Sequence, residues 1–179
     1  MEDPAVDVIP ASGAKCGREV AWPQPAAYDA RPENAPTCGI AGFVHADPQR
    51  RADGERLRRM TDVVAHRGPD GEGFHLRDNV ALGHRRLAII DLMTGDQPMS
   101  TPDGAVTISF NGEIYNYIEL RDELKSLGHV FATESDTEVI LRAYEEWGPD
   151  CQQHLNGMWA FALWDQRRRR LMLSRDRLG

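Results

Sequence analysis

The sequence predicts a layered α+β domain, and three observations lead to this class. Stretches typical of strands outnumber stretches with helical periodicity, helices fall between predicted hairpins, and one strand is apolar on both faces. A doubly wound parallel sheet is disfavoured because it requires a helix after nearly every strand. With 179 residues, the chain has room for one ordinary domain.

Regular patterning starts at Cys38. Apolar residues at helical spacing predict one helix near 54–65, and glycine with proline predicts a turn over 66–71. Three stretches in this half are predicted to be extended: 39–45, 80–91 and 105–110.

The second half contains two predicted helices. One spans about 117–127 and ends at Gly128, a typical residue for a helix C-terminus. The other begins at Ser135, where Ser135 and Glu138 form a predicted capping box, and ends near 147–148. Both helices are therefore delimited by start and stop signals.

The last stretch predicts a β-hairpin. Residues 158–164 are apolar at both sets of alternate positions, so this strand is predicted to be covered on both faces. A polar loop at 166–170 leads into a second strand at 171–174. The four arginines at 167–170 are interpreted as a solvated turn rather than a nucleic-acid contact.

Residues 1–37 differ from the rest of the chain. They contain six prolines and many alanines and show neither helical nor strand periodicity. Such a composition predicts a disordered arm or a cleavable leader, with the folded domain at 38–179.

Composition narrows the function classes. A net charge of −7 argues against a broad nucleic-acid surface, and no apolar run approaches the roughly 20 residues of a membrane helix. Three widely spaced cysteines form neither a disulfide framework nor a metal pair, which favours a reducing cytoplasm. The six histidines show no metal-ligand spacing, so no metal site is predicted.

Five residues suggest one acyl-transfer site. Cys38 is a candidate nucleophile, whose α-amine could act as its base if the preceding peptide bond were cut. Asn111 and Gly112 could donate hydrogen bonds to an oxyanion. Arg86 and Asp136 carry the opposite charges that a zwitterionic amino acid requires.

Each of these residues also has a structural interpretation. Cys38 could be an inert core cysteine, and Arg86 could belong to a surface ion pair. Asn111 and Gly112 could form a hairpin turn, and Asp136 could favour the N-terminus of its helix electrostatically. Only their order along one chain favours the shared site.

That order resembles the glutamine amidotransferase domain of asparagine synthetase, in the class II, N-terminal-nucleophile family. The resemblance covers residues 38–179. Seven stretches carry it, in this order: CGIAG at 38–42, HRGPD at 66–70, HRRLAIID at 84–91, QPM at 97–99, FNGEIYN at 110–116, SDTE at 135–138 and RDRLG at 175–179.

The resemblance implies a four-layer αββα sandwich of two antiparallel sheets and a role for each matching residue. Cys38 would attack the side-chain amide of glutamine through a thioester, with Asn111 and Gly112 as the oxyanion hole. Arg86 would hold the glutamine carboxylate and Asp136 its ammonium. The remaining residues of the implied binding pocket are Leu87, Ile89 and Glu113.

The implied function is the glutaminase half-reaction of an asparagine synthetase. ATP and Mg²⁺ would be used by a synthetase domain or chain that amidates aspartate, and the full-length enzyme could be a homodimer. Since the family continues beyond Gly179, the domain is expected to be truncated at its C-terminal end. Two alternatives stay open: an inactive, truncated or leader-blocked glutamine-binding module, and an amidotransferase that serves another acceptor.

Overall fold

Two β-sheets stack on each other, and helices cover the outer face of each sheet. The computed structural model describes residues 7–9, 38–87 and 95–178. Within these residues the strands are β1 (Asp7–Ile9), β2 (Gly39–Val44), β3 (Gly71–Arg77), β4 (Val80–Arg86), β5 (Met99–Ser100), β6 (Val106–Ile114), β7 (Gly157–Asp165) and β8 (Arg170–Arg175). The α-helices are α1 (Gly54–Val63), α2 (Tyr117–Ser126) and α3 (Asp136–Trp147). Short 3₁₀ turns lie at Ala65–Arg67 and Gly148–Gln153.

The two sheets differ in size. The larger has the strand order β1-β8-β7-β6-β5, and the smaller has the order β2-β4-β3. Every described pair of strands is antiparallel except β1 with β8, which is parallel. The two antiparallel sheets that the resemblance implies are therefore confirmed, with one parallel pairing at the edge of the larger sheet.

Helices complete the four layers. Helix α1 packs on β2 and β4, whereas α3 packs on β5 and β6 and carries α2 alongside. The αββα order implied by the resemblance is therefore confirmed. It follows from amphipathic patterning, because each sheet presents one apolar face to its partner sheet and one to a helix.

Two hydrophobic cores separate these layers. The larger lies between β6, β7 and helices α2 and α3, with the fully buried Ile108, Leu124 and Leu163 at its centre. The smaller lies between the sheets, where Trp164 packs with Val80 and Leu82. Alternate residues of β7 thus enter different cores, which confirms that this strand is covered on both faces.

Most predicted elements are confirmed. The predicted strands at 39–45 and 171–174 and the three predicted helices agree with β2, β8, α1, α2 and α3 to within a few residues. The extended stretch predicted at 80–91 is confirmed as β4 through Arg86, and residues 88–91 lie outside the described residues.

Three strands after Cys38 differ from prediction. Strands β3 and β5 were not predicted, since β3 carries two glycines and β5 is only two residues long. Strand β6 continues four residues beyond the predicted end, because the Asn111–Ile114 backbone stays paired with β7. Side-chain patterning does not report such backbone pairing.

The capping box at α3 is only half right. The Ser135 side chain caps the helix by accepting from the Thr137 N–H at 3.1 Å. Glu138 does not return to the Ser135 N–H; it accepts from the Ala132 and Thr133 N–H groups and from Arg142 instead. The loop before the helix therefore binds the Glu138 carboxylate, which the sequence pattern assigned to the cap.

Strand β1 lies within the stretch predicted to lack regular elements. Residues 7–9 pair with 170–172 through the backbone, and the absence of strand periodicity around them hid this pairing. The interpretation of residues 1–37 as a leader remains a prediction. No helix in 38–87 or 95–178 is long and apolar enough to cross a membrane.

Candidate active site

Cys38 directly precedes β2 and lies next to the end of β4. Its Sγ accepts a hydrogen bond from the Leu87 N–H at 3.3 Å and lies 3.5 Å from the Leu87 carbonyl oxygen. The contact follows from the antiparallel register, in which Gly39 pairs with Arg85. The residue before β2 must therefore meet the residues just after Arg85 on β4.

The environment of Cys38 keeps its thiol protonated. Burial raises the pKa of the Cys38 thiol above its ordinary value, and the Leu87 N–H and the charges of Arg86 and Arg67 oppose this effect only in part. Since the thiolate is the nucleophile, a cysteine held in this way needs a nearby base before it can attack.

Arg86 occupies the end of β4, half-buried beside Cys38. Its Nη1 lies 2.9 Å from Asp96 Oδ1, and the Asp96 side chain is 90% exposed. The predicted surface ion pair thus exists, yet it lies beside Cys38. Leu87, assigned to the pocket, contacts the Cys38 sulfur, whereas Ile89 lies outside the described residues.

The outer edge of β6 presents a row of backbone donors. Ala105 accepts a hydrogen bond from Gln166 on the β7 side, and Val106 accepts from Thr101 on the β5 side. In a strand the backbone groups of successive residues point to opposite edges, so the N–H groups of Phe110, Gly112 and Ile114 point away from β7.

Side chains hold the donors on either side of Gly112. The Phe110 N–H donates to Gln97 Oε1 at 2.6 Å, and the Ile114 N–H donates to Asp136 Oδ2 at 3.1 Å. The Gly112 N–H lies between these two anchored points. A backbone donor fixed on both sides is a suitable oxyanion-hole group because it needs little reorganisation.

Gly112 cannot be replaced by another residue type without strain. Its φ is 153°, and a Cβ at this position would lie 2.1 Å from the Met158 carbonyl oxygen. The residue pairs with Trp159 within an unbroken ladder, so the hairpin-turn interpretation of Asn111 and Gly112 is wrong. The glycine serves close packing of β6 on β7.

Asn111 belongs to the face of β6 that meets the smaller sheet. Side chains alternate along a strand, and the Ser109 side chain, two residues earlier, bonds His84 Nδ1 at 3.2 Å and the Gly83 carbonyl at 3.2 Å. Phe110, on the opposite face, lies in the helix-side core. Asn111 therefore faces the sheet in which Cys38 and Arg86 lie.

Asp136 opens helix α3 and lies against the end of β6. Its side chain is almost fully buried, and burial raises its pKa; the Glu113 charge adds to this effect, while the Ile114 and Thr137 N–H groups oppose it. Two carboxylates close together favour a bound cation. An ammonium group placed there would stabilise the charged form of Asp136.

Contacts join the two halves of the site through the segment before β5. The Cys38 Sγ contacts the Leu87 N, and the preceding residue, Arg86, contacts Asp96 through Nη1 and Oδ1. The residue after Asp96, Gln97, contacts the Phe110 N through Oε1 and the Thr137 Oγ1 through Nε2. Phe110 and Thr137 respectively precede and follow Asn111 and Asp136 in the chain. No hydrogen bond within 38–87 and 95–178 joins Cys38 directly to Asn111 or Asp136.

A cleft of about 300 Å³ lies beside this segment. The residues around it include Arg86, Asp96, Gln97 and Gly71. A cleft of this size is at the lower limit of small-molecule sites. In the described part of the chain, no group of three or more His, Cys, Asp or Glu side chains is placed to hold a metal ion.

Sequence reasoning assigned no role to Gln97 or Asp96. The QPM stretch was noted only as part of the resemblance. Nothing in the local pattern distinguishes Gln97 from a surface glutamine, because its partners Phe110 and Thr137 are 13 and 40 residues away. The unusual pairing is visible only once the strands are in place.

Comparisons with known proteins find a matching family model and several similar proteins. A family model described as "Glutamine amidotransferase domain" matches residues 37–179. Asparagine synthetase (glutamine-hydrolyzing) 3 of Bacillus subtilis (strain 168) is 47% identical over 144 residues, which cover 79% of this chain and 24% of that protein. Asparagine synthetase (glutamine-hydrolyzing) 1 of the same organism is 44% identical over 144 residues, covering 79% and 23%. The chain spans about a quarter of the length of these relatives.

A third relative and one solved structure are also similar to this chain. A putative asparagine synthetase (glutamine-hydrolyzing) of Mycobacterium tuberculosis (strain ATCC 25618 / H37Rv) is 43% identical over 158 residues, covering 79% of this chain and 24% of that protein. The solved glutamine phosphoribosylpyrophosphate amidotransferase of B. subtilis matches with 27% identity and a TM-score of 0.41, covering 51% of this chain and 22% of that one.

The buried His84 should make stability fall at acidic pH. Burial, followed by the Arg86 charge, lowers the pKa of His84 from 6.5 to about 4, and its Nε2 has no hydrogen-bond partner among the described residues. The unfolded chain therefore takes up this proton first as pH falls. The stabilisation that comes from keeping His84 neutral is complete above pH 6.5 and is lost as the pH falls from 6.5 to 4. At pH 4.5 the free energy of unfolding should be lower by about 2 kcal/mol.

Urea unfolding at pH 7 and pH 4.5 measures this effect. Between the two pH values, the free energy of unfolding of His84→Gln should fall by about 2 kcal/mol less than that of the unaltered chain. Other groups titrate in both proteins and cancel in the comparison. An identical loss in both proteins would show that His84 does not cause the acid sensitivity.

Proposed function

This chain belongs to the glutamine amidotransferase domain family, and on that premise we propose that it hydrolyses the side-chain amide of glutamine to glutamate and ammonia. One observation carries the proposal. The Cys38 sulfur accepts a hydrogen bond from the Leu87 N–H, and the contacts of Arg86 with Asp96 and of the adjacent Gln97 with Phe110 lead from there to the strand that carries the Gly112 N–H. Nucleophile, cation and oxyanion donor thus belong to one connected set of contacts.

The reaction divides into two acyl transfers. The Cys38 Sγ attacks the amide carbon and forms a C–S bond, and the amide C–N bond breaks to release ammonia after protonation of the nitrogen. Water then attacks the thioester carbon, the C–S bond breaks and glutamate leaves. Atoms balance, since one water and one glutamine give one glutamate and one ammonia.

The base for this attack is the α-amine of Cys38 itself. Burial keeps the thiol protonated, and an α-amine with a pKa of about 7.7–8.0 can accept its proton near neutral pH. The amine exists only after the Thr37–Cys38 peptide bond is cut, since an amide nitrogen has no basic lone pair. Processing of the leader is therefore part of the proposed mechanism.

Asn111 and Gly112 stabilise the oxyanion in the proposal. Support comes from the Gly112 N–H on the open edge of β6 and from the face of β6 on which Asn111 lies. The Gly112 N–H lies between two anchored residues before substrate arrives. Both donors act on charge that develops only when the amide carbon becomes tetrahedral.

The two charged α-groups of the substrate are bound by side chains of opposite charge, which selects an α-amino acid. Arg86 binds the α-carboxylate, for which it exchanges the exposed Asp96 carboxylate. Asp136 binds the α-ammonium, whose charge relieves the repulsion between Asp136 and Glu113. Backbone groups of Leu87 and Ile89 complete the binding pocket in this proposal.

The ammonia serves asparagine synthesis in the wider proposal. The relatives with 44–47% identity are named glutamine-hydrolysing asparagine synthetases, which supports a synthetase domain or chain that amidates aspartate with ATP and Mg²⁺. No cofactor is assigned to the present domain. A homodimer of the full-length enzyme and a cytoplasmic location, where a catalytic thiol stays reduced, complete the proposal.

Cleavage before Cys38 should switch on glutaminase activity. We expect the 179-residue chain with an intact Thr37–Cys38 bond to be at least about 100-fold slower than the chain cut at that bond, because the general base is missing. Glutamate release is measured while intact mass reports the cut. Cut chain carrying Cys38→Ala is the control for contaminating glutaminase. Equal turnover by molecules of uncut mass would rule out the α-amine as base.

Substitutions of Asn111 and Arg86 should affect different kinetic constants. Asn111→Ala removes a transition-state donor and should lower kcat about 100- to 1,000-fold with little change in KM. Arg86→Ala removes a charge-assisted contact to substrate and should raise KM about 10- to 100-fold.

Steady-state kinetics with glutamine separate the two effects. Arg77→Ala, which removes an arginine from the end of the neighbouring strand β3, serves as the control and should change neither constant. The same kinetic pattern for Asn111→Ala and Arg86→Ala would contradict the division of roles.

A further inference from the structure

Gln97 joins two elements of the proposed active site, strand β6 and helix α3. We infer that it is a positioning residue for the oxyanion hole, which holds β6 at Phe110 and the beginning of α3 at Thr137. This inference rests on the proposed glutaminase function and assigns a role to a residue that touches neither nucleophile nor substrate. Its amide acts through the backbone of β6.

Strand β5 covers only a short part of the edge of β6. This strand pairs with β6 only at two positions, Met99 with Ile108 and Ser100 with Thr107. The next donor on the same edge, the Phe110 N–H, would lack a strand partner. Gln97 Oε1 accepts it at 2.6 Å, so the side chain replaces the missing strand.

The replacement matters because Gly112 follows directly along that edge. Its N–H points to the same side as the Phe110 N–H, and the next donor, from Ile114, is bound by Asp136 at 3.1 Å. Two side-chain acceptors thus fix the strand on both sides of the oxyanion donor. Release of either would let the Gly112 N–H shift from its position.

The other end of the amide reaches helix α3. Gln97 Nε2 lies 3.4 Å from Oγ1 of the buried Thr137, the neighbour of Asp136. One amide therefore couples the strand that carries the oxyanion donors to the helix that carries the ammonium-binding carboxylate.

The Gln97 backbone is itself held by close packing. A Cβ added to Gly73 of β3 would lie 1.9 Å from the Gln97 carbonyl oxygen, so glycine is required for this approach. The preceding Asp96 binds Arg86 at 2.9 Å. Gln97 is thus anchored to the smaller sheet while its side chain holds the larger one.

Three variants of the 179-residue chain test this role, and each is measured after cleavage of its Thr37–Cys38 bond. Gln97→Leu keeps the volume and removes both polar atoms, whereas Gln97→Glu keeps an oxygen for the Phe110 N–H. Gln153→Leu makes the same chemical change at an exposed glutamine, whose amide contacts only the nearby Asp150 in its own turn. Glutamine kinetics and urea unfolding are measured for all three.

We expect Gln97→Leu to lower kcat about 10- to 100-fold and to change KM less than about threefold, since misplacement affects the transition state more than binding. Gln97→Glu should recover most of kcat, and Gln153→Leu should behave like the unaltered protein. If Gln97→Leu has an unchanged kcat, or if Gln97→Glu is as slow as Gln97→Leu, the positioning role is overturned.

Amide NMR tests the positioning role of Gln97 independently of the proposed function. If the unaltered chain does not hydrolyse glutamine, the proposed function fails, and the Phe110 and Gly112 amide resonances then decide the positioning role. Gln97→Leu should shift both resonances, and Gln97→Glu should return Gly112 towards its original position. A Gly112 resonance that Gln97→Leu leaves unmoved would overturn the inference.

Discussion

The open edge of β6 is the constraint on which the site depends. Among the described residues, no strand other than β5 pairs with β6 on that side, and β5 makes only two residue pairs. Buried backbone donors must still be bonded. Gln97 and Asp136 supply the acceptors. The same arrangement that satisfies the strand leaves the Gly112 N–H held between them, so the requirements of folding and of the proposed chemistry coincide at one strand edge.

The second half of the site follows from strand register. Pairing of β2 with β4 places Cys38 against Leu87 and beside Arg86, and the His84–Ser109 contact joins this sheet to β6. Burial in that position stabilises the protonated thiol. A thiol that is well packed but poorly ionised is consistent with the proposed activation by the α-amine of Cys38. In that proposal, activity depends on the peptide bond before Cys38.

Much of this architecture could be predicted from the sequence, and the exceptions share a cause. Helix limits and the doubly covered strand β7 follow from local patterns, such as Ser135 at a helix start and apolar residues on both faces at 158–164. Local patterns could not reveal the continuation of β6 through Gly112, because backbone pairing with β7 determines it. The same holds for Gln97 and for the true partners of Glu138, which lie in the loop before α3. The roles of the site residues remain proposals, and Ile89 lies outside the described residues.

Labelling with a glutamine analogue that carries a diazoketone in place of the side-chain amide tests the central claim most directly. The reagent alkylates a thiol only if that thiol attacks at the amide position of a bound glutamine. The account predicts a single label on Cys38, prevented by excess glutamine and confined to molecules whose first residue is Cys38. Peptide mass spectrometry identifies both the labelled residue and the state of the Thr37–Cys38 bond. Equal labelling of molecules with that bond intact, or labelling of Cys151 in place of Cys38, would contradict the account.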